Sequence, residues 1–223
     1  MATHFTDNLE KKMAMVILAG GQGRRMGGID KSLVKLSGKP LIQHVIDRIQ
    51  IDVSPLILST NKNQSNLQHF GLPCVDDTNE ENRGPLAGLS ASLCHIEKYH
   101  ADIQWVFSTP ADCPFVPLQL ASTLLDHACS GDGMDRPSYV RCGKRDHYLT
   151  AIWPISCSAV IAKQLANGVL SIHAALKSCN AQAIDFTDDY IDAFMNINTP
   201  QDLRSAEEII NAGNCRTPSK QPL

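Results

Sequence analysis

Two hydrophobic patterns alternate along the first half of the chain. Ala14–Ala19, Pro55–Ser59 and Gln104–Ser108 are short, almost wholly apolar runs, whereas in Pro40–Ile51 and Pro85–Tyr99 the apolar residues return every three to four positions. Apolar runs without polar alternation are strands buried on both faces, and strands separated by helices of this length form βαβ units around a parallel sheet. In Pro85–Tyr99, Leu86, Leu89, Leu93 and Ile96 share one helical face, and Pro85 takes the first helical position, so this helix follows Gly84 directly.

After Asp112 the rhythm changes. A helix is expected from about Pro117 to Ala128, strands at Ser138–Arg141 and Tyr148–Trp153, two short helices, and a strand at Ala181–Phe186. Thr199-Pro200-Gln201-Asp202 is a capping-box start, with Thr199 as N-cap of a helix reaching Asn211. The expected architecture is a single α/β domain of three α/β/α layers, with a Rossmann-like, mostly parallel sheet and a mixed C-terminal half. Residues 13–212 make up that domain; 1–12 read as a flexible leader and 213–223 as a flexible tail rich in turn formers.

Composition narrows the class. The 223 residues are 43% hydrophobic and 19% charged, as in a globular domain able to bury its own core without a structural metal or disulfide. Twenty basic against 23 acidic residues give a net charge of -3, which supplies no electrostatic reason to bind nucleic acid or an anionic membrane. Met13–Ala19 falls far short of the ~20 apolar residues that span a bilayer, and a cytoplasmic location is expected. The eight cysteines form no CxxC pair and fall mostly in apolar segments, so they are expected to be reduced, buried thiols.

The first strand empties into Gly20-Gly21-Gln22-Gly23-Arg24-Arg25-Met26-Gly27-Gly28-Ile29-Asp30-Lys31. Such glycine density permits close backbone approach, so successive N–H groups can line an anion site. Arg24, Arg25, Lys31 and Lys35 outnumber the one carboxylate there, Asp30, which points to a phosphate ligand. Neither named phosphate motif fits: no G-x-G-x-x-G is present, and Gly23 to Gly28 has the Walker spacing but its lysine comes two residues late. Asp112 follows the strand Trp105-Val106-Phe107 and should emerge at the carboxyl end of the sheet, where open α/β sheets bind ligands. A single carboxylate there suits magnesium, which takes other ligands from water and substrate phosphates. Asn61 follows another strand and could read a base or ribose edge, with Ser59 as the alternative register.

Leu18 to Lys31 resembles the signature loop of the molybdenum cofactor guanylyltransferases. Gly84-Pro85-Leu86-Ala87-Gly88, Pro110-Ala111-Asp112-Cys113-Pro114, Arg145-Asp146-His147 and Asn196-Ile197-Asn198-Thr199-Pro200 are similar to that family's later blocks, in its order. The resemblance covers about Met15 to Leu203 and implies a nucleotide-diphospho-sugar transferase-like fold. It implies GTP binding by Leu18, Ala19, Gly20, Gly21, Lys31, Asn61, Asp77, Gly84 and Asp112, with Asp112 holding Mg2+. Lys31, Asp112 and Arg25 would be catalytic. Arg145, His147, Asn196 and Asn198 would bind molybdopterin, since a guanidinium, an imidazole and two amides suit an anionic pterin phosphate.

The implied reaction is transfer of GMP from GTP to molybdenum-bound molybdopterin with release of pyrophosphate. Guanine is favoured over cytosine because related molybdopterin cytidylyltransferases typically carry Ala in place of the first glycine of Leu18-Ala19-Gly20-Gly21. A cytidylyltransferase, a sugar-1-phosphate nucleotidyltransferase and a non-catalytic nucleotide-binding scaffold are the alternatives. The resemblance further implies transient contacts with cofactor-insertion and molybdoenzyme chaperone proteins.

Overall fold

The structure is a computed structural model that describes residues 12–20, 30–49, 55–61, 65–77, 84–130, 135–190 and 192–213. The proposed leader and tail therefore lie almost wholly outside the described residues, as do Gly21, Arg24, Arg25 and Cys215.

The strands are β1 (Met13–Leu18), β2 (Lys35–Leu36), β3 (Lys39–Pro40), β4 (Leu56–Thr60), β5 (Cys74–Asp76), β6 (Trp105–Pro110), β7 (Ser138–Cys142), β8 (Arg145–Pro154) and β9 (Gln182–Phe186). Helices are α1 (Leu41–Ile49), α2 (Pro85–Tyr99), α3 (Leu120–Cys129), α4 (Cys157–Ala166), α5 (Ile172–Ser178) and α6 (Pro200–Asn211). Seven strands form one sheet in the order β5-β4-β1-β6-β8-β7-β9, with β2–β3 a separate hairpin. Every neighbour pair in the large sheet is parallel except the two made by β8. The mixed half thus comes from one reversed strand.

The apolar runs behave as buried strands must. Every residue of β1 is buried; Met13, Met15 and Ile17 pack on one side with α1 and α3, and Ala14, Val16 and Leu18 on the other with α2, α4 and α5. This period of two is what makes three layers. In α1, Leu41, Ile42, Val45, Ile46 and Ile49 form the buried stripe. A smaller cluster of Leu36, Leu41, Phe115, Ile197 and Ala206 ties the β2–β3 hairpin to α6. That cluster supports two of the segments that build the site.

Several expectations shift at their edges. Pro40 closes β3 instead of opening α1, and α3 starts at Leu120 after a turn in which the Pro117 carbonyl accepts the Leu120 N–H at 3.2 Å. Arg145-Asp146-His147, expected to precede a strand, are the first three residues of β8, which meets β7 through a tight turn at Gly143-Lys144 with Gly143 at φ 59°. The strand β5 and the β2–β3 hairpin are too short to leave a periodic signal. The described cysteines are all free; Cys113, Cys142 and Cys157 are buried as expected, whereas Cys129 and Cys179 are half-buried and Cys74 and Cys94 are exposed.

Candidate active site

Three parallel strands, β4, β1 and β6, end on one side of the sheet, and the candidate residues follow their C-terminal ends. A cavity of about 160 Å³ lies there, lined by Leu18, Ala19, Gly20, Lys31, Asn61, Asp77, Gly84 and Asp112. The structure thus brings together every described residue of the expected nucleotide set, from six separate stretches of chain. Gly21 and Arg25 lie outside the described residues, and Lys35 is exposed on β2, away from the cavity.

Two glycines make this approach possible. A Cβ on Gly20 would stand 2.5 Å from Asn61 Oδ1, and one on Gly88 would stand 2.3 Å from Ser59 Oγ. Gly20 therefore leaves room for the Asn61 amide, and Gly88 lets the first turn of α2 close on β4. Ser59 and Gly88, with Ser32, Pro85, Pro110, Ala111 and Leu149, complete the lining. Gly88 stood in a block of the resemblance without a role of its own and Leu149 carried no site signal; contact across two elements decides both.

The floor of the site is an ion pair. Lys31 Nζ donates to Asp112 Oδ2 and, at 2.5 Å, to Asn198 Oδ1; Asn196 Nδ2 donates to Asp112 Oδ1 at 2.7 Å. The two charged side chains are 15% and 18% exposed, so water screens them only partly. Lys31 is presented by a short 3-10 turn (Lys31–Leu33) that Asp30 caps, accepting from Ser32 N at 3.0 Å and Ser32 Oγ at 2.6 Å. Asn196 and Asn198 are held by backbone: Ile197 N donates to the Asp112 carbonyl at 2.9 Å. The Asn198 and Thr199 N–H groups both donate to Asp202 Oδ2 at 2.8 Å, within the capping box of α6.

A second cavity, of about 330 Å³, adjoins the first and shares Pro110, Asp112 and Leu149 with it. Arg145, His147, Asn196 and Asn198 all line it, so the residues expected at a second substrate are also brought together. Burial, reinforced by Arg145, lowers the His147 pKa to about 4, and its ring packs against Phe194 with centroids 5.3 Å apart. His147 is therefore neutral at physiological pH and offers hydrogen bonds, not charge. Asp146, Tyr148 and Thr150 also line this space and were not singled out by the sequence.

Among the described residues no cysteine lines either cavity. Burial pushes the Cys113 thiol, next to Asp112, far above its ordinary pKa, which makes it inert. Among the described residues no group of three or more His, Cys, Asp or Glu could cage a metal. The donor set instead fits a cation that takes one protein carboxylate, because each Asp112 oxygen carries a single described donor and Asp112 lines both cavities. The arrangement provides one anion, one cation and paired amides where two ligands can meet.

Comparison with known proteins agrees. The model of the MobA-like NTP transferase domain matches residues 15–183. The chain is 38% identical over 194 residues to the molybdenum cofactor guanylyltransferase of Yersinia pestis (strain Pestoides F), covering 87% of this chain and 94% of that protein. The relative of the same description from Yersinia pseudotuberculosis (serotype O:1b, strain IP 31758) matches equally, at 38% identity over 194 residues. Among solved structures, molybdopterin-guanine dinucleotide biosynthesis protein A from Archaeoglobus fulgidus superposes with a TM-score of 0.72 at 24% identity, covering 90% of this chain and 100% of that one. The 4-diphosphocytidyl-2C-methyl-D-erythritol synthase of Anaerococcus prevotii shares the fold with a TM-score of 0.64 at 12% identity, covering 91% of this chain and 97% of that one.

Proposed function

The chain belongs to the MobA-like NTP transferase family and is a nucleotidyltransferase; from that premise we propose that it transfers GMP from GTP to the terminal phosphate of molybdenum-bound molybdopterin. The observation that carries the reading is the meeting of two cavities at Asp112, one lined by the nucleotide set and one by Arg145, His147, Asn196 and Asn198. An oxygen of the pterin phosphate attacks the α-phosphorus of GTP. The bond from that phosphorus to the oxygen bridging to the β-phosphorus breaks, and pyrophosphate leaves with its electron pair.

The nucleophile is already an anion, so no general base is required. The work left to the protein is to align two polyanions and offset their charge. Lys31 places an ammonium against the phosphates as charge develops on the leaving group. Asn198 aims that ammonium, and Asn196 fixes the Asp112 carboxylate in its plane. Asp112 would hold magnesium, which when bound lowers the charge on the α-phosphate and on pyrophosphate. Asn61 and Asp77 would contact the nucleoside, Leu18, Ala19, Gly20, Gly21 and Gly84 would cradle it, and Arg25 would add a second cation. Cofactor-insertion proteins are the expected recipients of the product.

The test is pyrophosphate release with magnesium and either GTP or CTP, each with and without molybdenum-loaded molybdopterin. Release only with GTP and the pterin together is expected. Release with CTP moves the protein to the cytidylyl branch, and release with a sugar 1-phosphate in place of the pterin replaces the acceptor.

A further inference from the structure

The second cavity contains a carboxylate that phosphate binding does not explain. Asp146 lines it and is not among the residues that line the nucleotide cavity. It is held from two directions: Arg141 Nε donates to Asp146 Oδ1 at 2.6 Å, and Tyr148 OH donates to Oδ2 at 2.8 Å. The two strands impose this, because Arg141 of β7 faces Asp146 of β8 directly in the sheet register. The Arg141 hydrogen bond, against the opposing effect of burial, keeps the Asp146 carboxyl below the usual carboxylate range.

An ionised carboxylate in a space that receives a phosphate ester raises the energy of the bound anion unless another part of the ligand gains from it. Arg141 offsets the charge only in part, since its side chain is 39% exposed. One donor on each oxygen leaves acceptor capacity on both, in a plane already fixed. What such a carboxylate recognises is a pair of adjacent N–H donors. A 2-amino-4-oxo pyrimidine edge, the outer edge of a pterin, presents such a pair at its ring N–H and exocyclic amine. Beside it, the Tyr148 ring makes tilted contacts with Tyr139 and His173 at 5.2 and 4.9 Å, so the wall is fixed as well as flat-sided.

We propose that Asp146 is a specificity-determining residue that reads the 2-amino-4-oxo edge of the pterin ring while the phosphate lies toward Asp112. This deepens the function proposed above and rests on it. It separates two tasks within one cavity: Arg145, Asn196 and Asn198 take the anionic end, and Asp146 takes the heterocycle.

The experiment measures binding of two probes to the full chain by fluorescence: a pterin carrying a phosphate monoester on its C6 side chain, and the matching 2,4-dioxo compound, which lacks the amine. GTP affinity and thermal unfolding are followed in parallel. The wild type is expected to prefer the pterin by about tenfold or more, as sites built to pair buried polar groups do. In Asp146→Asn that preference should fall to within about threefold while GTP affinity and Tm stay the same. Tyr148→Phe breaks one arm of the clamp but keeps the carboxylate, and should retain most of the preference. A wild type indifferent to the amine, or an Asp146→Asn variant that keeps the wild-type preference, overturns the inference and leaves the guanylyltransferase reading intact. If neither probe binds and pyrophosphate release is also absent with the true pterin, both fall together.

Discussion

Lys31 and Asp112 are counter-ions to each other across 81 residues of chain. Replacing Lys31 by Ala should lower turnover about 100-fold or more, the scale of losing one preorganised charge at a transition state. Lys31→Arg should not restore it, because a planar fork cannot take both the Asp112 and the Asn198 contacts of a compact ammonium. Circular dichroism and Tm check that the fold survives, and near-normal rates in Lys31→Ala remove it from the mechanism. A second test concerns Gly88. Gly88→Ala drives a methyl into Ser59 Oγ and should cost about 1–3 kcal/mol, and adding Ser59→Ala should recover most of it by removing that oxygen. His147 gives the test in pH. Its folded pKa of about 4 lies below the ordinary 6.5, so the stability tied to its neutral form is present above about pH 6.5 and is lost as the pH falls towards 4. Denaturant midpoints should therefore fall more steeply over that range in the wild type than in His147→Gln; equal slopes contradict the buried neutral imidazole. Asp112 was legible in the sequence because a carboxylate just beyond a buried strand emerges at the ligand-binding end of an open sheet, and Lys31 because it closes a basic, glycine-rich loop that resembles the family's signature. The roles of Gly88, Leu149 and Asp146 were not, although Gly88 and Asp146 stood in blocks of the resemblance, since each matters only through a neighbour brought by another element.

The capping box of α6 joins secondary structure to chemistry. Thr199 accepts from Asp202 N, and Asp202 in turn accepts the N–H groups of Asn198 and Thr199, so the helix start and the Asn196–Asn198 segment are one hydrogen-bonded unit. Burial opposes ionisation of Asp202, but the Asn198 N–H, the Thr199 groups and nearby Lys31 outweigh it and hold its carboxyl below the usual range. Thr199→Ala should cost about 1 kcal/mol in urea unfolding, as loss of an N-cap does. Because the cap also anchors Asn198, KM for the second substrate should rise while that for GTP moves little; an equal rise in both would detach the cap from the acceptor side. This helix start was written in four residues, as was the Pro85 start of α2. The β7–β8 hairpin was not. Its turn uses Gly143 and Lys144 without a strong turn pair, and the first residues of β8 are polar because they face a cavity and not a core. A strand that enters a binding site loses the hydrophobic pattern by which strands are recognised.

The proposed reaction uses a metal that the described core is not built around. With the core divided over both faces of the sheet and no three-ligand cluster among the described residues, a chelator should abolish pyrophosphate release without lowering Tm. A drop in Tm on chelation points to a structural ion. The parallel half and the three layers were legible because strands buried on both faces leave long apolar runs. Sheet order was not, since pairing of β6 with β8 is decided by packing over a distance that no local pattern spans. That reversed strand bears on how the family can change. Its tip reaches the acceptor cavity through a two-residue turn, where a parallel strand would have needed a crossover of a dozen residues or more. The tip that lines the second cavity is thus a short, self-contained cassette on the parallel frame, open to replacement in descent or by design without redrawing the strands that carry the first cavity.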